Sequence, residues 1–263
     1  MVVENLTFSY EKNNLGKNLC KDNNVLEEVS FTVNKGKITT FLGANGCGKT
    51  TLFHLMTKNL IPGKGKILLD GKNILDMKQK EFARKVAIVH QNNEAAGDIT
   101  VEKLVSYGRT PHLSLFKAAV KEDKPIIDWA MEITGVSRYR YRELKSLSGG
   151  QRQRVWIAMA LAQKTDILFL DEPTTYLDIC YQVELLELIR RLNQEYALTV
   201  IMVLHDINQA VYYSDEIIGL KEGRILVQGP PETVITPEYI ERIYGIRLEV
   251  KQWKEKKFVI TVR

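Results

Sequence analysis

The sequence is poor in the features that mark several large classes of protein. Only three of its 263 residues are cysteine, Cys20, Cys47 and Cys180, and no two form a C-x-x-C pair. An odd, scattered set argues against a disulfide framework and for a reducing compartment. No run approaches the roughly eighteen uninterrupted apolar residues that span a bilayer. The opening Met1-Val2-Val3-Glu4-Asn5 lacks a basic n-region and an apolar h-region, which predicts no secretory signal. Neither sign of charge dominates: the net charge is +5, spread along the chain. Nucleic-acid binding asks for a clustered basic stripe. The densest tract, Lys251, Lys254, Lys256 and Lys257, reads as a solvated hairpin, so no nucleic-acid partner is expected. Internal repeats and low-complexity segments are also lacking.

What is present is an ordinary globular composition, 44% apolar and 26% charged. A chain of this length can bury roughly three quarters of its unfolded surface. Strand-like runs occur at Val2–Phe8, Val29–Val33, Ile38–Leu42, Ile67–Leu69, Val86–Val89, Ile167–Leu170, Val200–Leu204 and Ile217–Leu220. Helical patterns lie between several of them, and Leu185, Leu188, Ile189 and Leu192 mark one apolar face. Alternating strands and helices predict an α/β fold with a largely parallel central sheet. Asp70-Gly71 and Glu222-Gly223 are turn signals, and the early strands suit a small antiparallel sheet. Between about 95 and 150 strand signals fade and helices are expected at Val101–Tyr107 and Pro125–Thr134, which predicts an inserted α-helical subdomain. Glu11–Asn24 reads as a polar surface loop. After Pro237 a short helix and a strand pair, Leu248–Gln252 and Phe258–Val262, are expected. No chemistry is assigned to them.

Residues 43–50 carry the clearest chemical signal. Gly43-Ala44-Asn45-Gly46-Cys47-Gly48-Lys49-Thr50 has the pattern G-x-x-x-x-G-K-[ST], like the loop of P-loop nucleotidases. Its glycines let backbone N–H groups converge on an anion. The helix it opens, continuing through Thr51, favours negative charge at its N-terminus. Lys49 can reach the β- and γ-phosphates, and the Thr50 hydroxyl can bind Mg²⁺. The preceding buried strand and the following apolar-faced helix are the context this loop requires. Cys47 reads either as a thiol made reactive by the helix N-terminus or as a small residue that lends its N–H to phosphate.

Ile167-Leu168-Phe169-Leu170 ends in Asp171-Glu172. A buried strand would deliver both carboxylates to the edge of the sheet where α/β ligands bind. Asp171 suits Mg²⁺ through water, and Glu172 suits a base that polarises an attacking water. Leu147-Ser148-Gly149-Gly150-Gln151 contains a capping box, Ser148-x-x-Gln151, that would open the helix Gln151–Ala162. Its two glycines also leave N–H groups open to an anion.

Taken in order, these segments resemble the ATP-binding-cassette (ABC) ATPases. Residues 43–50 match their Walker A loop, 167–172 their Walker B strand and 147–151 their LSGGQ signature. Further matches are Gln91 to the Q-loop, Tyr176-Leu177-Asp178 to the D-loop, His205 to the switch histidine and Tyr10 to the aromatic that stacks on adenine. The similarity runs over residues 2–240. It implies a P-loop NTPase (RecA-like) core at about 1–94 and 151–235, a helical subdomain at about 95–150 and a C-terminal extension at about 236–263. It also implies ATP and Mg²⁺ as cofactors, with Thr50, Gln91 and Asp171 toward the metal and Glu172, His205 and Gln91 toward catalysis.

Because each motif occurs once, the resemblance implies a head-to-tail homodimer. In it Ser148, Gly149, Gly150, Gln151 and Asp178 of one copy would face the nucleotide of the other. Tyr107-Gly108-Arg109-Thr110-Pro111-His112-Leu113-Ser114-Leu115-Phe116, Thr174-Thr175-Tyr176-Leu177-Asp178 and His205-Asp206-Ile207-Asn208-Gln209-Ala210 resemble importers of iron–siderophore, haem and cobalamin complexes. The implied setting is the cytoplasmic face of the cell membrane. There the chain would be peripheral to a separate permease and, through it, to a substrate-binding protein. The alternatives are another ABC importer ATPase (cobalamin, haem, metal ion), a soluble non-transport ABC ATPase, and a non-hydrolysing nucleotide switch or scaffold.

Overall fold

A computed structural model describes residues 1–10, 24–96, 98–113 and 123–261. All but the last residue of the expected loop Glu11–Asn24 lies outside the described residues, as do Cys20, Ser114-Leu115-Phe116 and Val262. The chain opens with β1 (Val2–Phe8), β2 (Leu26–Thr32), β3 (Ile38–Leu42), α1 (Lys49–Met56), β4 (Lys64–Leu69) and β5 (Lys72–Asn73). It continues with α2 (Gln79–Ala83), β6 (Val86–Val89), α3 (Val101–Ser106), α4 (Lys124–Ile133), α5 (Gly149–Ala162), β7 (Ile167–Leu170) and α6 (Ile179–Tyr196). It closes with β8 (Thr199–Val203), α7 (Ile207–Tyr213), β9 (Glu216–Lys221), β10 (Arg224–Gly229), α8 (Pro231–Val234), α9 (Pro237–Tyr244), β11 (Glu249–Trp253) and β12 (Lys256–Ile260). Packing groups these into two units, Met1–Met77 with Ile201–Arg263, and Lys78–Val200.

The first unit holds an antiparallel sheet in the order β2-β1-β4-β5, as the early strands suggested. Val3, Leu6 and Phe8 of β1 point to its buried face. Register shifts interrupt the β1–β2 ladder, where Asn5 (φ 48°) and Glu28 (φ 49°) take the left-handed conformation of bulged strands. β3 is buried along its whole length and pairs in parallel with β9, Thr39 opposite Glu216 and Leu42 opposite Gly219. Its Ile38, Phe41 and Leu42 are apolar and its two threonines, Thr39 and Thr40, are buried with them, as in a strand covered on both faces. Asp70-Gly71 and Glu222-Gly223 each put two consecutive residues at positive φ, the geometry of tight hairpins. They close β4–β5 and β9–β10.

The C-terminal elements belong to the same unit. Thr236 caps α9 by accepting the Tyr239 N–H at 3.3 Å, Pro237 takes the first turn, and Ile240 and Ile243 are buried. The β11–β12 hairpin is held through Asn208 of α7. Its side-chain amide donates to Val259 O (3.0 Å) and accepts from Val259 N (2.8 Å), while Val259 itself is fully buried.

In the second unit β6 and β7 pair in parallel, Val86 opposite Ile167 and Val89 opposite Leu170. α5 packs against α3 and α4, burying Val155, Ile157 and Ala158. It begins at Gly149, two residues before the expected start, because the Ser148 side chain supplies the cap and lets both glycines enter the first turn. The α6 stripe Leu185, Leu188, Ile189 and Leu192 is buried as its spacing predicts. Burial contributes roughly 1.5–3 kcal/mol for each such side chain.

The segment Tyr107–His112 forms a 3-10 turn that turns Arg109 inward. Arg109 Nε donates to Asp123 Oδ1 at 2.7 Å and its terminal nitrogen to Ala162 O at 2.8 Å, both side chains being about nine-tenths buried. A buried ion pair is weak evidence for stability, but breaking one is expensive. Asp123→Ala is expected to lower the unfolding free energy by roughly 3–5 kcal/mol, and the double substitution Arg109→Leu, Asp123→Leu by less. Urea denaturation of the three chains measures both.

Candidate functional site

In the first unit β3 runs into the 43–48 loop and out along α1. Lys49, the first residue of α1, is only 5% exposed, and an ammonium so buried needs lone pairs around it. Lys49 Nζ donates to Gly43 O at 2.7 Å and Ala44 O at 3.0 Å and lies 3.8 Å from Cys47 Sγ. The loop is folded around its own lysine. Gly48, the N-cap of α1, has φ 105° and makes no side-chain cap, and the first turn carries no acidic residue. Open N–H groups with no carboxylate beside them suit an anion.

Ala44, Asn45, Gly46 and Thr50 are at least partly exposed, whereas Gly43, Cys47, Gly48 and Thr51 are buried. The Cys47 N–H turns to Ala44 O at 3.3 Å and its carbonyl accepts from the Gly223 N–H at 3.0 Å. The Glu222-Gly223 turn therefore braces the loop as well as closing a hairpin. Nothing local to residues 43–50 signals this partner. Thr51 Oγ1 pairs with the Tyr10 hydroxyl at 3.1 Å. The Tyr10 ring sits edge-on to Phe8 at 5.0 Å and stays 60% exposed. His205 also belongs to this unit, exposed beyond the end of β8. The next residue, Asp206, caps α7 by accepting the Gln209 N–H at 2.9 Å.

The second unit brings Gln91 and Glu172 together. Gln91 Nε2 donates to Glu172 Oε2 at 2.6 Å, and Thr175 Oγ1 reaches the same oxygen at 3.3 Å. The carboxylate is thus fixed from two sides. Its backbone has φ 47°, and Tyr176 follows at φ 64°, a conformation costing roughly 1–2 kcal/mol for a residue with a Cβ. Strain of this kind gathers at functional sites. Asp171, buried at the end of β7, donates its N–H to Val89 O at 3.0 Å.

In the same unit the capping box of α5 is complete. Gln151 N donates to Ser148 Oγ (3.4 Å) and Ser148 N to Gln151 Oε1 (3.0 Å). Gln151 Nε2 then donates to the Tyr139 hydroxyl at 2.9 Å. Both ends of the Gln151 amide are engaged within the chain, and Ser148 and Gly149 are left exposed. Gly150 is buried against Tyr181, and a Cβ there would fall 2.7 Å from the ring. Asp178 caps α6 by accepting the Tyr181 N–H at 3.1 Å. Tyr181 thus connects Asp178 to Gly150. Tyr139, Thr175, Tyr181 and Gly223 are all partners that the motifs alone do not reveal.

The sequence-predicted residues fall into two sets. Tyr10, residues 43–51 and His205 belong to the first unit, and Gln91, residues 148–151, Asp171, Glu172 and Asp178 to the second.

A family model described as ABC transporter matches residues 26–175. The chain is 46% identical to the iron(3+)-hydroxamate import ATP-binding protein FhuC of Bacillus subtilis (strain 168), over 87% of this chain and 85% of that one. It is 45% identical to the ferric enterobactin transport ATP-binding protein FepC of Escherichia coli (strain K12), over 93% and 86%. Among solved structures it is similar to cbiO1 of Clostridium perfringens, part of the ABC transporter complex cbiONQ. That match has a TM-score of 0.77 and 31% identity over 92% of each chain.

The cap geometry has a consequence independent of any ligand. Ser148→Ala is expected to lower stability by about 1 kcal/mol through loss of the α5 cap. Chemical denaturation without nucleotide checks this.

Proposed function

Since the chain belongs to the ABC transporter family, we propose that it is the ATP-hydrolysing subunit of an importer that takes up an iron–siderophore complex or a related metal chelate. The observation that carries this reading is 46% and 45% identity, across nearly the whole chain, to two ATP-binding proteins of ferric-chelate uptake. No helix among the described residues is long and apolar enough to cross a membrane, and we assign the membrane path to a separate permease. The chain would then act at the cytoplasmic face, with a substrate-binding protein reached through that permease. The helical subdomain at about 95–150 is assigned to permease docking, the core at about 1–94 and 151–235 to nucleotide, and about 236–263 to an extension.

The roles assigned to the residues are those the family resemblance implies, and the geometry is compatible with them. Tyr10 offers an exposed ring to adenine. Lys49 turns from Gly43 O and Ala44 O to the β- and γ-phosphates, while the open N–H groups of the loop and α1 receive the remaining charge. Thr50, Asp171 and Gln91 are oxygen donors of the kind that hold Mg²⁺ alongside phosphate; bound there, the metal would neutralise charge on the phosphate oxygens. Glu172, held by Gln91 and Thr175, orients and deprotonates the attacking water, and His205 completes the γ-phosphate environment. Each signature occurs once, so two copies are assigned head to tail. Ser148, Gly149, Gly150 and Gln151 of one, with Asp178, then close the nucleotide site of the other. Because the Gln151 amide is engaged internally, the Ser148 hydroxyl and the Gly149 N–H carry that contact.

Glu172→Gln is expected to slow hydrolysis about 10²–10⁴-fold while ATP binding persists, so that an ATP-bound dimer accumulates. Lys49→Ala is expected to weaken binding itself. Equal loss of binding in both would refute this division of roles, and specific activity independent of protein concentration would refute the dimer. Uptake of labelled ferric chelates by a strain lacking this chain tests the cargo: undiminished uptake counts against it.

A further inference from the structure

The last residue of α9 is a tyrosine with no part in the chemistry above. Tyr244 carries its hydroxyl into the first unit. The oxygen is shielded from solvent and has no hydrogen-bond partner among the described residues. The Gly43 backbone amide lies close to it, with Cys47 and Asp206 nearby. Burial raises the titration of the phenol well above the ordinary tyrosine range. Cys47 and Asp206 push the same way and the Gly43 amide opposes them. The group is therefore a protonated donor with no acceptor among the described residues.

Its platform is rigid. Thr236 caps α9, Ile240 and Ile243 anchor it, and Gly245 at φ 73° ends it directly after Tyr244. Arg247 reaches back to Glu238 and Glu241, each at 3.2 Å. A buried hydroxyl without a partner is unfavourable, and phenylalanine would fill the same space without that cost. In the same loop Gly43 O and Ala44 O accept from Lys49 Nζ, and they would lose that donor if Lys49 turned to phosphate.

We propose that Tyr244 is a positioning residue for the nucleotide-bound loop: its hydroxyl, idle in this state, donates to the Gly43–Ala44 segment once Lys49 leaves for the phosphates. The C-terminal helix thereby contributes to nucleotide affinity. This rests on the reading of Lys49 as a phosphate ligand.

The test compares the full chain with Tyr244→Phe and Ile243→Val, by thermal unfolding with and without Mg-ADP and by steady-state ATPase kinetics. Tyr244→Phe is expected to match or exceed the parent's unfolding midpoint without nucleotide. It should show a smaller ADP-induced shift and a KM for ATP raised about three- to tenfold, the loss of one hydrogen bond, with kcat unchanged. Ile243→Val is expected to lower the midpoint without nucleotide and leave KM alone, as a purely structural change to the same helix would. An equal ADP-induced shift in parent and Tyr244→Phe overturns the proposal by itself. So does a loss of stability without nucleotide in Tyr244→Phe. A parent chain with no ADP-induced shift overturns the nucleotide reading and this proposal together.

Discussion

Taking an ammonium out of water is costly unless other lone pairs replace the solvent. Lys49 meets that demand with two carbonyls of its own loop, Gly43 O and Ala44 O, and much of the first unit serves to keep those carbonyls in place. β3, buried along its length and paired in parallel with β9, aims the chain into the loop. The β9–β10 turn holds the loop's far side through Gly223 and Cys47. The lysine is stored in a self-satisfied arrangement. Under the proposed role, a phosphate would compete with two backbone oxygens, and a weakly charged group would not draw the ammonium away.

The second unit solves a different problem, holding residues in conformations the backbone does not favour. Glu172 and Tyr176 both have positive φ. The Gln91 and Thr175 contacts to Glu172 and the capping of α6 by Asp178 are the local forces that offset this strain. The start of α5 is held with equal care. Ser148, Gln151 and Tyr139 form a chain of hydrogen bonds, and Tyr181 fills the space a side chain at residue 150 would need.

How much of this could be read from the sequence depended on the range of the interaction. Patterns that repeat locally were legible. The α6 stripe at 185, 188, 189 and 192, the turns at Asp70-Gly71 and Glu222-Gly223 and the Ser148–Gln151 capping box each follow from spacing or from one residue's conformational range. The short strands β5 and β10 were missed, since Lys72-Asn73 is too brief and Arg224–Gly229 too mixed to show a period. The motifs single out the 43–50 loop and the carboxylates but not what steadies them. Gly223 lies far along the chain from Cys47, as Tyr139 does from any cue in Gln151, and nothing in the sequence pairs Asp123 with Arg109, 14 residues before it. Contacts of that kind depend on tertiary packing, which leaves no periodic trace.

The brace between Gly223 and Cys47 limits how the chain can be rebuilt. A two-residue hairpin turn with an exposed glutamate looks like a natural place to splice in a reporter peptide. Here the Gly223 N–H is taken by Cys47 O and its carbonyl by the Glu27 N–H, so a graft at that corner would unseat the lysine loop from behind. The Lys254-Glu255 corner is exposed as well, and Lys254 O accepts from Gln252 Nε2 of its own hairpin, which makes it the safer point for attaching a label.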